Sequence, residues 1–187
     1  MAYKIYIDQG HNPRNPNAGA EGNGYREQDL VYEIARQTAV ILRQNGLDVR
    51  LSRPTPQTQL GTSNASSLAA RVNDANAWGA DYFISLHTNA SNITSASGSE
   101  AFVYTEASRA YPLAQNILTQ LNAATGLPNR GVSVRTNLYV LRRTRMPATL
   151  VELGFISNPA DADLMANQPQ LFARGVANGV LAYLGEL

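Results

Sequence analysis

Residues 81–87 read DYFISLH, an apolar run that fits a buried strand and ends on a histidine. A second run of the same character, YKIYI at residues 3–7, leads through Asp8, Gln9 and Gly10 to His11. These are the only 2 histidines in the chain, and each follows its own predicted strand. Outward from these runs, strand-like and helix-like patterns alternate. Leu30, Val31, Ile34, Ala35, Thr38, Ile41 and Leu42 recur at helical spacing between Gln28 and Asn45, with Gly46 placed to end the helix. LDVRLS (47–52) is a short strand, and SRPTPQTQLGTSNASS (52–67) is a polar loop. Ser67 is expected to cap a helix running to about Trp78. After His87 comes a second loop of small polar residues, SNITSASGS (91–99), then EAFVYT (100–105) as a strand. A helix from Ser108 to about Thr125 turns Leu113, Ile117, Leu118 and Leu121 inward. NLYVLR (137–142) and TLVELGF (149–155) are predicted as further strands. Two helices follow, near 160–167 and over Leu171, Val176, Val180 and Leu184. The alternation predicts one α/β domain over residues 1–187, a three-layer sandwich with a mainly parallel mixed sheet and helices on both faces. Ligands of such sheets bind at the carboxyl ends of the strands. His11, His87 and Glu152 all fall at or near such ends.

The 187 residues, 44% hydrophobic and 16% charged, suit one soluble globular domain. Net charge is +1, too balanced for a nucleic-acid footprint. Lys4 is the single lysine among 15 basic residues. Between Glu106 and Glu152 there is no acid, while Arg109, Arg130, Arg135, Arg142, Arg143 and Arg145 all fall there. Such a run is either a solvated face or a wall that holds carboxylates with the planar guanidinium fork. The absence of cysteine excludes disulfides, a thiolate nucleophile and a thiolate metal site. No apolar run approaches the length of a membrane span. The N-terminus turns to Asp8 and Gly10 too soon for a signal peptide. The expectation is export by another route or a domain trimmed from a longer protein, acting as a monomer.

Two imidazoles and a carboxylate are the usual non-thiolate ligands of zinc, and three protein ligands plus water make a catalytic site. Glu27 opens the first long helix after NPRNPNAGAEGNGYR (12–26), a loop rich in Gly, Pro and Asn that can fold back over the strand ends. Alone, Glu27 is an acid in a helix's first turn, where the dipole favours it. Each histidine alone is an ordinary hydrogen-bonded side chain. Together at one sheet edge, the three read as metal ligands. Glu152 interrupts an apolar strand, where a lone carboxylate is costly unless it is paired or near a metal. It is either a general base for a metal-activated water or an acid paired with an arginine from the Arg142–Arg145 run. Asp8 reads as a supporting or turn residue.

IDQGH (7–11), the glutamate after the Gly-rich loop, SLHTNA (85–90), GSE (98–100), NRGV (129–132) and VELGFISN (151–158) resemble the zinc-dependent N-acetylmuramoyl-L-alanine amidases of the Amidase_3 type. The resemblance runs from Lys4 to the last helix. It implies a Zn2+ cofactor, peptidoglycan as partner and action on the bacterial cell wall, extracellular or periplasmic. The reaction implied is cleavage of the amide between the lactyl group of N-acetylmuramic acid and L-alanine. It also implies that His11, Glu27 and His87 hold the zinc and that Glu152 is the catalytic acid/base. Asn89 is expected to contact substrate or orient His87, and Arg142 and Arg143 to hold stem-peptide carboxylates. DQGHNP replaces the family's more frequent Asp-Pro-Gly-His-Gly-Gly, which bears on substrate preference rather than on metal binding. Thr105 runs almost directly into the helix at Ser108, leaving no room for the plugging helix of some relatives. The rival readings are a zinc carboxypeptidase or aminopeptidase acting on stem peptides and a non-catalytic wall-binding module. The intact set of His11, Glu27, His87 and Glu152 argues against the binder.

Overall fold

Side-chain alternation along the strands divides the interior in two. Ile5, Ile7, Ile84, Leu86, Ala101, Val103, Val151 and Leu153 belong to one apolar cluster. Tyr6, Phe83, Phe102 and Leu150, on the opposite face, belong to another. The structure is a computed structural model that describes residues 2–186. In chain order its elements are β1 (Lys4–Gln9), β2 (Glu21–Gly22), β3 (Tyr25–Arg26), α1 (Glu27–Gln44), β4 (Asp48–Leu51), α2 (Asn64–Trp78) and β5 (Tyr82–Asn89). They continue with β6 (Ser99–Val103), α3 (Ala110–Thr125), β7 (Asn129–Val134), α4 (Tyr139–Arg143), β8 (Ala148–Phe155), α5 (Pro159–Asn167) and α6 (Pro169–Leu184). β2 and β3 form a small hairpin, and the other strands make one 6-stranded sheet in the order β4-β1-β5-β8-β6-β7. β4, β1, β5 and β8 run parallel. β6 reverses direction against β8 and pairs in parallel with β7. The α/β sandwich with a mixed, mainly parallel sheet is therefore the observed fold.

The first cluster lies under α1, α3 and α6. The last two helices approach so closely that a Cβ on Gly179 would overlap the Cα of Ile117. The second face is covered by α2 and the short α4 alone, through Val72, Ala75, Val140 and Leu141. Toward the other end of the strands, side chains of the same parity become polar: Asp8, Ser85, His87, Glu100 and Glu152, of which Asp8 is met by Arg71 from α2. That difference in coverage positions the site.

Several elements differ from the sequence expectations. NLYVLR is not a strand; Tyr139–Arg143 forms a single helical segment that buries Val140 and Leu141 beside α2. The missing strand is β7, a sheet edge whose half-exposed residues, with a glycine among them, carry no apolar signal. α2 is capped by Ser63 rather than Ser67. Ser63 Oγ accepts from Ser66 N at 3.1 Å in a reciprocal capping box, so the helix starts a turn earlier. Ser67 lies buried inside α2, where its Oγ accepts from Asn17 Nδ2 at 3.0 Å. α3 begins at Ala110, and Ser108 Oγ accepts from Ala110 N at 3.1 Å in the turn ahead.

Candidate metal centre and active site

β1 ends on a backbone that must turn sharply to present His11, which has φ 67°, a left-handed conformation costly for any residue with a Cβ. A buried guanidinium holds this turn. Arg71, on α2 and 1% exposed, donates from Nη2 to the His11 carbonyl at 2.6 Å. Its Nη1 donates to Asp8 Oδ1 at 2.6 Å and also to the Gln9 carbonyl. Ser85 Oγ donates to the other Asp8 oxygen at 2.7 Å. Burial would raise the Asp8 pKa, but the charge of Arg71 and these hydrogen bonds outweigh it and hold the carboxyl below the usual range. Both Asp8 oxygens are thus engaged, and the residue supports the His11 turn.

Glu27 sits between the two histidines. Its Oε2 lies 3.2 Å from His11 Nε2 and its Oε1 3.1 Å from His87 Nδ1. The same oxygens accept backbone N–H groups from Ala20 and Thr88, each at 2.9 Å. Burial pushes this carboxyl up, but the hydrogen bonds and charges of His11 and His87 override it and keep the group well below the ordinary carboxylate range. The two imidazoles meet edge to face, with ring centroids 4.9 Å apart. Gly10 and Gly19 permit this crowding. A Cβ on Gly10 would fall 2.5 Å from the His87 ring, and one on Gly19 2.8 Å from Glu27 Oε2.

One donor atom from each of His11, Glu27 and His87 lies within 4.8 Å of the other two. Two imidazoles and one carboxylate suit a borderline cation such as zinc, with bonds of about 2.0–2.2 Å and a further position left for water or substrate. The donor set and its spacing therefore fit the expected metal.

Glu152 stands directly across from His87 in the parallel β5–β8 pair, and across from Glu100 in the antiparallel β8–β6 pair. Among the described residues no arginine pairs with it. Its Oε2 is buried without a hydrogen-bond partner among the described residues. Burial first, then the negative charges of Glu27 and Glu100, push its pKa up to about 8. A carboxyl with a free oxygen and a pKa in this range can both take and return a proton near neutrality. Asn89 does not face the histidines with a free amide: its Nδ2 donates to Glu100 Oε1, and its Oδ1 accepts from Ala90 N at 2.9 Å.

The arginine wall is not assembled as expected. Arg142 borders a shallow groove with Thr105, Met146 and Ala148, at the end of β8 remote from Glu152, and the exposed Arg143 follows it at the end of α4. Arg130 of the same stretch does stand at the site's end of the sheet, beside the Asn129–Ser99 pairing, with its guanidinium over the Phe155 ring at 5.1 Å. Two site residues were not singled out from sequence. Arg71 had a signal, since it lies on the inward stripe of α2 with Leu68, Val72 and Ala75. Glu100 had one in its parity with Phe102.

Two imidazoles sharing a buried carboxylate, with a carboxyl of raised pKa opposite, form a donor set suited to a cation, of a kind that hydrolases use. A family profile described as N-acetylmuramoyl-L-alanine amidase, Amidase_3, matches residues 5–182, and the chain belongs to that family. It is 36% identical over 182 residues to the sporulation-specific N-acetylmuramoyl-L-alanine amidase of Bacillus subtilis (strain 168), covering 95% of this chain and 66% of that protein. It is 35% identical over 182 residues to the N-acetylmuramoyl-L-alanine amidase CwlM of Bacillus licheniformis, covering 95% and 67%. The chain thus spans about two thirds of the length of these relatives. Among solved structures, it resembles the catalytic domain of the amidase CwlV from Bacillus (Paenibacillus) polymyxa var. colistinus. There the TM-score is 0.85, with 31% identity over 99% of both chains.

Proposed function

We propose that this chain hydrolyses the amide bond between N-acetylmuramic acid and L-alanine in peptidoglycan, with a zinc ion held by His11, Glu27 and His87. The carrying observation is Glu152, a mostly buried carboxyl with one unpartnered oxygen, in register with His87 on the same sheet face. Zinc at such a site supplies charge to polarise the scissile carbonyl and to acidify water. The protein's own groups do the rest. Glu27, fixed by the Ala20 and Thr88 amides, keeps both imidazoles turned toward one point. Glu152 takes the proton of the attacking water and returns it to the alanine nitrogen as the amide breaks, so no covalent intermediate is needed. Glu100, tied to Asn89, adds negative charge that keeps the proton on Glu152 until it is delivered. The chain acts as a monomer on the cell wall, outside the cytoplasmic membrane. No helix among the described residues is long and apolar enough to cross one.

Digestion of purified sacculi followed by mass spectrometry tests the reading. The expected products carry a free muramoyl lactate carboxyl and a new N-terminal alanine. Release of a single stem-peptide amino acid would make the enzyme a peptidase instead. A strong chelator should abolish hydrolysis and added zinc restore it, and His87→Ala should lose both metal and activity.

A further inference from the structure

The arginines that do not reach the metal centre form a surface of their own. Among the described residues, arginine ion pairs are made by Arg26, Arg36, Arg50 and Arg71. Arg135, Arg142, Arg143 and Arg145 are exposed and make none. Arg142 and Arg145 border one groove of about 320 Å³ at the amino end of β8, together with Thr144 and with Tyr104, Thr105 and Ser108 from the turn after β6. Arg135 abuts the same turn. Its backbone N–H donates to the Val103 carbonyl at 2.9 Å, and its guanidinium lies over the Phe102 ring at 4.9 Å. Phe102, Val140 and Leu141 share one apolar cluster, so the four guanidinium groups flank the carboxyl end of α4.

The backbone that carries three of these arginines is fixed. Asn76 of α2 donates from Nδ2 to the Arg143 carbonyl at 3.2 Å and accepts from Arg145 N at 2.9 Å. Thr144 Oγ1 donates to the Val140 carbonyl at 2.8 Å. Among the described residues no carboxylate lines the groove. Asp74, the acid of α2, is engaged by Tyr6 and Arg50, and Glu106 is the one acid between Tyr104 and Pro147. Unpaired planar forks beside hydroxyl groups suit phosphate oxygens, which guanidinium binds in bidentate fashion. Shape narrows the choice. A concave groove admits a thin chain, whereas a bilayer-binding face projects apolar side chains into lipid. Here Leu141 and Ala148 are buried, Met146 is half-buried, and of the groove's large apolar side chains Tyr104 alone is exposed.

We propose that this groove, with its four arginines, binds a phosphodiester-linked polyol chain of the cell wall. Such a chain carries one ionised phosphate per repeat, which matches guanidinium groups spread along a surface rather than converging on one point. Nucleic acid is disfavoured, because the net charge of +1 gives no wider basic field around the groove. The groove lies at the end of β8 opposite Glu152, so a chain held there leaves the metal centre open to peptidoglycan. Placing the polymer in the wall rests on the amidase reading given above. The binding itself involves neither the metal ligands nor Glu152.

The experiment measures binding of the zinc-loaded protein to a fluorescent poly(glycerol phosphate) chain by anisotropy, with Tm checked for every variant. Wild type should bind at about 0.1 M salt and weaken steeply as salt rises, because exposed charges are screened. The triple substitution Arg142→Gln, Arg143→Gln and Arg145→Gln should weaken binding about tenfold, the combined effect of three exposed ion pairs of modest strength. A second triple substitution, Arg14→Gln, Arg36→Gln and Arg174→Gln, removes the same charge from exposed positions elsewhere. It should weaken binding by less than about threefold, the share owed to net charge alone. Equal losses in the two triple variants would reduce the effect to net charge and overturn the surface. Wild-type binding to vesicles of anionic phospholipid but not to the polymer would overturn it in favour of a membrane, and binding to neither would remove it altogether. Each of these results leaves the products released from sacculi unchanged, so failure of this surface and failure of the amidase reading are told apart.

Discussion

The two faces of the sheet are built to different ends. Under α1, α3 and α6, the strands present an unbroken apolar layer whose residues are almost wholly excluded from water. On the other face, α2 and the short α4 cover the amino-terminal half of the strands with apolar side chains. Past that line the same strand positions carry Asp8, His87, Glu100 and Glu152. The comparison teaches that the polar groups occupy the stretch of sheet that α2 meets with a buried arginine and polar contacts rather than with an apolar face. Asp8 is bonded to Arg71 and Ser85, whereas Glu152 keeps a buried oxygen without a partner and tolerates it by holding its proton.

Substitutions on each face should therefore have separable effects, and the largest belongs to the open one. Glu152→Gln keeps the shape but cannot accept a proton. Its kcat should fall by roughly two to four orders of magnitude, the range for losing general acid–base catalysis. Zinc content should stay near that of wild type. A Gln variant lacking zinc would make Glu152 a ligand; one with near-normal turnover would move the base elsewhere.

The opposite outcome is expected on the closed face. Gly179→Val forces a branched side chain into the backbone of α3, and unfolding should become easier by roughly 3 kcal/mol, at the upper end of the usual overpacking cost. Denaturant titration measures this, and kcat of the remaining folded enzyme should be unaffected. A large loss of kcat in the folded fraction would couple the faces and break the distinction.

Acid–base behaviour of the metal-free protein sharpens the contrast. The folded state holds the Glu152 proton up to about pH 8, whereas an unfolded glutamate releases it near pH 4.3. A carboxyl whose folded pKa is raised contributes stability that is complete below the unfolded value and lost as pH rises through the folded one. Glu152→Gln is free of this loss. In chelator, its Tm should equal that of wild type near pH 4.5 and exceed it by several degrees at pH 9. Equal values at pH 9 would mean that ionised Glu152 is already well solvated.

The smallest effect is expected from Arg142→Ala. Its guanidinium lies at the far end of β8, so KM for substrates with a free stem-peptide carboxylate should stay within about twofold of wild type, as for other surface changes remote from a site. A clear rise confined to such substrates would bring α4 into the binding surface.

Legibility in the sequence followed the same division. β1, β5 and β8 are buried on both sides, so each is a nearly continuous apolar run, and the helices of the closed face show their period plainly. β7, an edge with exposed residues, left no such trace. The start of α4 was mistaken for a strand, because a short apolar run has no period to separate the two. Within the site, the two histidines, Glu27 and Glu152 were visible as polar residues at strand ends, at a helix start or within an apolar strand. Arg71 and Glu100 were not singled out, because the acceptors around Arg71 and the partners of Glu100 come from segments far apart in the chain. Arg142 and Arg143 directly precede β8, and residues just before a parallel strand lie at its amino end, away from the ligand edge.

The loop between His11 and Glu27 is tied down without any help from a cation. Asn12 donates to the carbonyls of Pro16 at 2.8 Å and Leu60 at 2.9 Å, Gly19 N donates to Gln28 Oε1 at 3.1 Å, and Arg26 reaches the carbonyl of Pro13. The conformational entropy of this segment is therefore lost when the chain folds, and the fold itself sets the positions of His11 and Glu27. Asn15 Oδ1 accepts from Ala18 N at 3.2 Å within the same loop, while the side chain of Arg14 is exposed and takes no part in holding Glu27 or His11. Change at Arg14 can therefore alter the surface beside the site without disturbing the turn that presents His11 or the helix start that presents Glu27.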